Sequence, residues 1–322
     1  MTVAFVFPGQ GSQEVGMGRA LSERSAAARA VFERADRALE GLSADPLPLS
    51  TLCFEGPAEQ LTLTENTQPA ILTASVAALE ALREQLSGLS PVLVAGHSLG
   101  EYSALVCSGA ISFEDTVRLV RLRGRAMQEA VPVGEGAMAA VMGTDADALV
   151  ALCGRVVAEL AGRVVSPANY NAPGQIVVAG HADAVARLSQ LVGEAGGRAI
   201  PLKVSAPFHC SLMKSAADRV REALETISVK DPAVSVVANF DAQANDSAAR
   251  VRQLLVDQVA GAVRWEQSVR LMVERGVTTF VEIGPGKVLA GLIKRVHRPA
   301  VVHNVFDPAS LDAAVAALSS HS

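Results

Sequence analysis

The chain has 322 residues, material for about two domains, with 50% hydrophobic residues, 19% charged residues and a net charge of −5. This composition excludes intrinsic disorder, and no apolar run approaches the roughly 18 residues that span a bilayer, which argues against a transmembrane protein. No dense cluster of lysine and arginine indicates a nucleic-acid surface. Because Arg19 is the first cation and the four cysteines have neither paired nor metal-type spacing, we expect a protein of the reducing cytoplasm without a secretory signal.

The first 130 or so residues alternate between strand-like and helix-like patterns. Residues 3–7 and 91–95 are short β-rich or apolar runs that predict strands. Helices are predicted for residues 25–42, for the segment that Pro69 would open, for the segment after Gly100, and from a capping box at Ser112 to about Val131. Strands separated by helices predict an α/β fold with a parallel sheet that is covered on both faces.

The pattern changes between about Gly136 and Lys203. Strands are predicted there at residues 137–142, 164–170, 175–179 and 198–203, and helices at 146–160 and 182–195. This β-α-β-β-α-β order is the ferredoxin-like arrangement, so we predict a small domain at 133–203 inserted into a larger domain formed by residues 1–132 and 204–322. In the remainder, strands at 234–239, 278–283 and 301–305 alternate with helices near 251–259, after Gly286 and at 311–318.

The clearest motif is Gly96-His97-Ser98-Leu99-Gly100, a G-x-S-x-G directly after a predicted buried strand and before a predicted helix. In that context the serine lies on a tight strand-to-helix turn, with its hydroxyl exposed at the helix N-terminus. The amide of Leu99 then points toward the oxygen of any carbonyl that Ser98 attacks. We therefore predict that Ser98 is a nucleophile.

A serine hydroxyl needs a base, and the candidates are His97, His181, His209, His297, His303 and His321. His209 is favoured because it lies in a proline-containing loop where the chain leaves the inserted domain. His97 adjoins the nucleophile on a strained turn and is expected to point away from the open side of the serine. The others are expected in the inserted domain, around the last strand or in the C-terminal tail. A structural histidine is the alternative for His209, and nothing near Cys210 marks its thiol as activated.

Arg123 is the most informative charged residue. In the helix predicted after Ser112, the polar side carries the other arginines, whereas Arg123 lies in the middle of the apolar arc. A buried guanidinium is costly unless an anion pairs with it. The residues alone leave two alternatives open: a structural salt bridge with an internal carboxylate, which is the more frequent case, and bidentate binding of a substrate carboxylate.

Two glycine-rich turns need a separate interpretation. Gly9-Gln10-Gly11 follows the first strand, but Glu14 stands where a dinucleotide fingerprint has its third glycine, so an oxyanion-hole amide is the better assignment. Residues 284–287 (GPGK) lack P-loop spacing and predict a strand-to-helix turn. No H-x-H, H-E-x-x-H or C-x-x-C motif occurs, so the sequence predicts no metal site.

Five collinear blocks spread over nearly the whole chain resemble the malonyl-CoA:acyl carrier protein transacylase family of bacterial fatty acid synthesis. They are residues 7–13 (FPGQGSQ), 96–102 (GHSLGEY), 123–128 (RGRAMQ), 169–180 (NYNAPGQIVVAG) and 282–289 (EIGPGKVL). The resemblance implies a hydrolase-like α/β domain with a ferredoxin-like insertion, in agreement with the predicted order of elements. It also implies an enzyme, an acyl carrier protein S-malonyltransferase.

The resemblance assigns a role to each matching position. Ser98 would be acylated by malonyl-CoA, with His209 as general base and then as general acid. Arg123 would hold the malonyl carboxylate. The main-chain amides of Gln10 and Leu99 would form the oxyanion hole.

Further site residues are implied in the same way. The main-chain carbonyl of Gln258 would orient His209 in place of the acid of a Ser-His-Asp triad. Met127 and His97 are expected to line the pocket. Phe208 departs from many bacterial members, which have a smaller residue there, and resembles malonyl-selective loading domains of polyketide synthases. Its ring would crowd a 2-methyl branch and favour malonyl over methylmalonyl.

The expected reaction is ping-pong transfer of a malonyl group from malonyl-CoA to the phosphopantetheine thiol of holo-acyl carrier protein through a malonyl-serine, without a bound cofactor. The alternatives are a stand-alone malonyl loader for a polyketide synthase, a serine thioesterase or hydrolase that passes the acyl group to water, and a non-catalytic docking module. The intact Ser98 and His209 disfavour the last. We expect a monomer of the cytoplasm without nucleic-acid or membrane partners.

Overall fold

The computed structural model describes residues 2–42 and 47–319 and places their strands in two separate sheets. The strands are β1 (Val3–Phe7), β2 (Leu93–Gly96), β3 (Gly136–Met142), β4 (Val165–Ala172), β5 (Gln175–His181), β6 (Arg198–Pro201), β7 (Val236–Val237), β8 (Ala244–Asn245), β9 (Thr279–Ile283) and β10 (Val301–Val305). The helices are α1 (Arg19–Arg24), α2 (Ala26–Leu39), α3 (Leu49–Glu55), α4 (Ala58–Thr62), α5 (Thr64–Gln85), α6 (Gly100–Cys107), α7 (Phe113–Glu129), α8 (Ala146–Glu159), α9 (Ala182–Glu194), α10 (Lys214–Glu225), α11 (Ala248–Ala260), α12 (Trp265–Glu274), α13 (Val288–Val296) and α14 (Pro308–Ser319).

The larger sheet has the strand order β10-β9-β1-β2-β7-β8 and is parallel except for β8, which runs antiparallel to β7. Its central strand β1 is buried on both faces. Val3, Phe5 and Phe7 belong to one apolar core, and Ala4 and Val6 belong to a second core on the opposite face. The strands β1 and β2 end opposite each other, so their carboxyl ends form the edge where α/β sheets bind ligands.

The smaller sheet is antiparallel, with the strand order β4-β5-β3-β6. Its elements follow along the chain as β3-α8-β4-β5-α9-β6, the order of strands and helices predicted from the sequence. Main-chain hydrogen bonds join this sheet to the rest of the molecule: Tyr170 N donates to Val263 O at 2.9 Å, and Val263 N donates to Ala168 O at 2.8 Å. The strand β4 is therefore fixed against the segment that connects α11 and α12.

The helix predicted to open at Pro69 begins earlier, at Thr64, so Pro69 lies inside α5. Side chains of the preceding turn explain this difference. Asn66 Nδ2 donates to Gln60 O at 2.9 Å, and Thr67 Oγ1 donates to Leu61 O at 2.6 Å. These bonds anchor a helical turn before the proline, and a proline costs a helix less near its start than in its middle.

The strand predicted at 234–239 is also shorter than expected, because only Val236–Val237 joins the sheet. After it the chain turns sharply: Ala238 N donates to Gln243 O, and Ala242 has a φ of 54°. The turn removes Asn239 from the sheet and leaves its side chain free for other contacts.

Across residues 2–42 and 47–319, no helix combines the length and the apolar character that crossing a bilayer requires. His321, one of the histidines considered as a base, lies outside the described residues.

Candidate active site

Ser98 lies between β2 and α6 in a backbone conformation that few side chains adopt, with a φ of 51°. Two features hold this turn. Ser98 N donates to Asn239 Oδ1 at 2.7 Å, and the backbone of Gly100 lies so close to β1 that a Cβ atom at this position would stand 2.0 Å from Phe7 O. Only glycine fits there, and the hydroxyl of Ser98 is thereby presented at the start of α6.

His209 faces this hydroxyl, with Nε2 2.6 Å from Ser98 Oγ. Its other ring nitrogen, Nδ1, is 2.8 Å from the main-chain oxygen of Gln258. A carbonyl oxygen accepts only, so Nδ1 carries the proton and Nε2 is left to accept from Ser98 Oγ. Gln258 lies in the last turn of α11, where carbonyl groups lack partners within the helix. A helix end thus takes the place of the acid in a Ser-His-Asp triad.

The environment keeps His209 neutral. Burial, and secondarily the positive charge of Arg123, lower the pKa of the imidazole to about 3. At neutral pH the ring therefore holds no second proton and is ready to accept one from Ser98. A negative charge bound at Arg123 would remove part of this effect and make His209 a stronger base.

Arg123 projects from α7 into the same site and is only 1% exposed. Its Nη1 donates to Gln68 Oε1 at 2.8 Å, while Nη2 donates to Gln258 Oε1 at 2.9 Å and to Ser98 Oγ at 3.1 Å. All three acceptors are neutral, and the guanidinium also lies over the ring of Tyr102, with Cζ 5.2 Å from the ring centre. Within the described ranges no carboxylate forms an ion pair with Arg123, so the structural salt bridge considered from the sequence is not present.

Gln10 and Leu99 lie on the two loops that meet at the carboxyl ends of β1 and β2. The loops are in close contact, because a Cβ atom on Gly9 would stand 2.3 Å from His97 O. Within residues 2–42 and 47–319, the main-chain amides of Gln10 and Leu99 make no hydrogen bond to a protein acceptor. Two unused donors beside a nucleophile are the arrangement that an oxyanion hole requires.

Ser98 opens into a cavity of about 420 Å³ between the two sheets. The loops and helices around the larger sheet contribute the predicted site residues Gln10, His97, Ser98, Arg123, Met127, Phe208 and His209. The smaller sheet and the segment that follows β6 contribute Met138, Asn169, Asn171, Val177, Leu202 and Lys203, and α13 contributes Val288, Leu289 and Leu292. The cavity thus combines polar groups around Ser98 with apolar side chains from β3, β5 and α13.

The three predicted pocket residues occupy different parts of this cavity. Met127 is buried, and its sulfur lies 3.8 Å from Gln68 Nε2. Phe208 precedes the base and lines the cavity with its ring. His97 Nε2 is 2.8 Å from Asn171 Oδ1, so this ring is fixed to β4 instead of facing Ser98 Oγ. That contact links the nucleophile turn to the smaller sheet.

Three polar residues at the site were not singled out from the sequence: Gln68, Glu101 and Asn239. Gln68 binds Arg123, Asn239 binds the amide of Ser98, and Glu101 Oε2 accepts from both Asn239 N and Gln258 Nε2 at 2.9 Å. Asn239 follows the apolar residues 236–238, which is a signal for a buried polar group, whereas the neighbours of Gln68 and Glu101 give no such signal. The partners of all three residues are distant along the chain, so the sequence does not show what they bind.

The remaining candidates have structural roles. The thiol of Cys210 donates to Pro207 O at 3.1 Å, and burial raises the pKa of this thiol to about 11, which leaves it protonated. His181 Nδ1 accepts from Val164 N at 2.9 Å within the smaller sheet. Residues 284–287 form the turn between β9 and α13, as predicted. None of these groups lines the cavity.

Comparison with known proteins gives one consistent result. The acyl transferase domain family matches residues 4–312. Malonyl CoA-acyl carrier protein transacylase of Bacillus subtilis is 50% identical over 317 residues, which cover 98% of this chain and 97% of that protein. The crystal structure of an acyl-carrier-protein S-malonyltransferase from Burkholderia pseudomallei has a TM-score of 0.92 and 48% identity, and covers 98% of this chain and 100% of that one.

A third similar structure includes a carrier protein. It is a holo complex of a type II polyketide synthase acyl-carrier protein with its malonyl-transacylase, matched at a TM-score of 0.92 and 44% identity over 98% of this chain and 100% of that chain.

Proposed function

Since this chain belongs to the acyl transferase family, we propose that its cavity loads the malonyl group of malonyl-CoA onto Ser98 and passes it to the phosphopantetheine thiol of acyl carrier protein. The observation that carries the proposal is the position of Arg123: its Nη2 lies 3.1 Å from the nucleophilic oxygen, buried and without a carboxylate partner. In a malonyl-serine the free carboxylate is two carbon–carbon bonds beyond the ester carbonyl carbon, within reach of this guanidinium.

In the first half-reaction, His209 Nε2 takes the hydroxyl proton of Ser98 while Oγ attacks the thioester carbon. The carbonyl oxygen becomes an oxyanion, and the amides of Gln10 and Leu99 donate to it. Each such donor stabilises the transition state by about 3 kcal/mol. When the tetrahedral intermediate collapses, the carbon–sulfur bond breaks and His209 returns the proton to the CoA thiolate.

The second half-reaction uses the same groups in reverse. His209 takes the proton of the pantetheine thiol, the sulfur attacks the ester carbon, and Ser98 leaves with the proton that His209 returns. The product is malonyl-acyl carrier protein and the free enzyme. No cofactor enters either step, because the phosphopantetheine belongs to the substrates.

Arg123 also accounts for the choice of acyl group. Acetyl-CoA would leave the guanidinium without a counter-charge, and a polar site rejects a ligand that leaves its groups unpaired far more strongly than an apolar pocket rejects a missing methylene. The bound malonyl carboxylate has a further effect, since it offsets the charge that lowers the pKa of His209. The correct substrate therefore makes the base stronger.

The carrier protein that we assign is that of fatty acid synthesis, as the resemblance of the sequence blocks implies; the Bacillus subtilis relative is named as a transacylase of acyl carrier protein. Two observations favour a second candidate, a carrier protein of polyketide synthesis. Phe208 resembles loading domains of polyketide synthases, and the solved complex with a polyketide carrier protein has the same fold. Competition between the two holo-carrier proteins for one malonyl-enzyme would decide between them.

We also assign the domain boundaries, the oligomeric state and the cellular location of the enzyme. Residues 1–132 and 204–322 form a hydrolase-like α/β domain, and 133–203 form an inserted ferredoxin-like subdomain. The parallel sheet, the separate antiparallel sheet and the order of their elements support this division. All the groups used above come from one chain, which fits a monomer. The four free cysteines fit a reducing cytoplasm.

Intact-protein mass spectrometry tests the proposal. Brief exposure of the enzyme to malonyl-CoA should add one malonyl group, absent in Ser98→Ala, and holo-acyl carrier protein should remove it. Release of free malonate without a lasting adduct would identify a hydrolase instead. No reaction with malonyl-CoA would refute both.

A further inference from the structure

Glu101 is a buried carboxylate near the site that the mechanism above does not use. It is the second residue of α6 and 2% exposed. One of its oxygens, Oε2, accepts from two donors, Asn239 N and Gln258 Nε2, each at 2.9 Å. The carboxylate itself contacts neither the nucleophile nor the base, although the main-chain N of Glu101 donates to Ser98 O at 3.2 Å as part of the turn.

Both partners of Glu101 hold the nucleophile turn. Asn239 Oδ1 accepts from Ser98 N at 2.7 Å, and Asn239 Nδ2 donates to Gly96 O at 2.7 Å. Gln258 Nε2 donates to Ser98 O at 2.9 Å. The main chain of Ser98 is therefore hydrogen-bonded at its N–H by Asn239 and at its C=O by Gln258. Both of these residues also donate to Oε2 of Glu101.

Gln258 carries two further contacts. Its main-chain oxygen fixes the tautomer of His209, and its side-chain Oε1 accepts from Arg123 Nη2 at 2.9 Å. This residue lies in the last turn of α11, and last turns fray because their carbonyls have no partners within the helix. The position of Gln258 consequently depends on its side-chain bonds to Glu101 and to the main chain of Ser98.

We propose that Glu101 is a positioning residue that, through Gln258 and Asn239, aligns the base His209, the carboxylate-binding Arg123 and the strained Ser98 as one unit. This inference deepens the proposed function and rests on it. The role requires an acceptor at the place of Oε2, and both donors point to that one atom. A glutamine with its amide oxygen there would keep both bonds, whereas a leucine would keep neither.

The test compares Glu101→Leu, Glu101→Gln and a matched control, Glu282→Gln. Glu282 is a second buried carboxylate, which accepts from Leu289 N, Ala290 N and Asn304 Nδ2 and contacts none of the three aligned residues. Both carboxylate oxygens of Glu282 accept hydrogen bonds, whereas a glutamine has only one acceptor oxygen. Glu282→Gln therefore loses at least one bond and should lower the melting temperature. Its malonyl transfer per folded molecule should stay within about twofold of wild type.

Two readouts are measured on the folded proteins. The first is single-turnover acylation of Ser98 by malonyl-CoA and by acetyl-CoA. The second is the tautomer of His209, followed by NMR of ¹⁵N-labelled histidine and assigned with His209→Gln. Glu101→Leu should slow malonyl loading about 100-fold, slow acetyl loading less, and mix the two tautomers of His209. Glu101→Gln should keep the single tautomer and load malonyl within about fivefold of wild type.

Three results would overturn the proposal: normal malonyl loading in Glu101→Leu, an unchanged His209 tautomer in that variant, or equal impairment in Glu101→Gln. If Glu101→Leu does not fold, Gln258→Leu keeps the main-chain carbonyl but removes the bond to Glu101 together with those to Ser98 O and Arg123. Its loading rates are therefore not used, and mixed tautomers of His209 are the expected result, with an unchanged tautomer overturning the proposal. A wild-type enzyme that fails to load malonyl would refute the proposed function. The tautomer would still report on Glu101, because that signal needs no substrate.

Discussion

The two sheets build opposite walls of the cavity in different ways. In the larger sheet every residue of β1, β2 and β9 is buried, and the nucleophile, the base and the arginine come from loops and helices packed around these strands. In the smaller sheet, β5 is mostly buried, β3 is half-buried and the edge strand β6 is mostly exposed. The larger sheet thus holds reacting groups in one geometry, while the smaller one closes the cavity over them.

This difference predicts which positions tolerate change. On the first wall, main chains approach so closely beside Ser98 that a single methyl group has no space at Gly100. The equally tight glycine of the smaller sheet, Gly180, lies against Val164 and does not line the cavity. On the second wall, side chains such as Met138 and Val177 line the cavity. Substitutions on the first wall should abolish function or folding. Substitutions of the side chains with which the smaller sheet lines the cavity should shift the choice of substrate.

The largest effect is expected from Gly100→Ala. Its new Cβ would stand 2.0 Å from Phe7 O, so the β1 and β2 loops must separate, at a cost of about 3 kcal/mol or more in the free energy of unfolding. Gly154→Ala in the exposed part of α8 is the matched control, because nothing lies within 4 Å of its Cβ. It should stabilise the protein by up to about 1 kcal/mol. Denaturant unfolding measures both variants, and a similar loss of stability in the two would show that the close approach at Gly100 is not the cause.

Arg123→Ala should lower the preference for malonyl-CoA over acetyl-CoA by about 100-fold while some acetyl loading remains, since the counter-charge for the carboxylate is lost. Arg125→Ala is its control: this residue is on the same helix but exposed, paired with Glu129 at 2.8 Å. It should leave the preference unchanged. Acylation rates with the two thioesters give the ratio, and an unaltered ratio in Arg123→Ala would contradict the assigned role.

The pH dependence of loading should differ between substrates. The positive charge of Arg123 contributes to the lowered pKa of His209, about 3 in the free enzyme. A bound malonyl carboxylate offsets that charge, so the pKa of His209 rises when malonyl-CoA binds and stays low when acetyl-CoA binds. Because protonated His209 cannot act as a base, malonyl loading should fall off at a higher pH than acetyl loading.

Rates at saturating thioester across the acidic range measure this shift. In Arg123→Ala the acidic limb for acetyl-CoA should itself move to higher pH, because the positive charge that helps to lower the pKa of His209 is gone. Coincident limbs in the wild type would show that the carboxylate does not act on the base.

The smallest effect is expected from Phe208→Ala, which enlarges the cavity next to the base. Loading of methylmalonyl-CoA should rise about tenfold relative to malonyl-CoA, because a methyl branch in an apolar pocket is worth only 1–3 kcal/mol, roughly 10- to 200-fold. Malonyl loading by the same variant is the internal reference. If the relative rate does not change, another part of the cavity wall restricts the branch.

The central features of the site were predictable because they depend on local patterns. A buried strand, a G-x-S-x-G motif and a following helix place Ser98, and helical periodicity places Arg123 on a buried face. The start of α5 was missed because side chains of the turn before Pro69, such as Thr67, anchor the beginning of the helix. The loop position of His209 made it the favoured base. Its partner, the main-chain oxygen of Gln258, lies 49 residues away, and a main-chain group cannot be recognised from the pattern of side chains.

The polar network behind the nucleophile was not predictable for a related reason. Gln68, Glu101 and Asn239 bind groups that are distant in sequence, and a single buried polar residue has many candidate partners until the fold brings one to it. The partners of Arg123 show the same limit of prediction from sequence. Its burial followed from periodicity, but the absence of a carboxylate partner follows only from the positions of α5 and α11 around it.

The strand order of the larger sheet also affects how the protein is made. On the ribosome, β1 emerges early and can pair with β2, since Ala4 lies opposite Leu93, but its other neighbour is β9, where Val3 pairs with Thr279. At typical synthesis rates of 5–20 residues per second, the nascent chain carries this apolar strand with one edge unpaired for on the order of 10–40 s. Such an edge is a template for pairing with other chains. During translation β1, which becomes the central strand of the larger sheet, is therefore exposed along one edge. A chaperone that covers this edge would protect the strand that later supports Ser98.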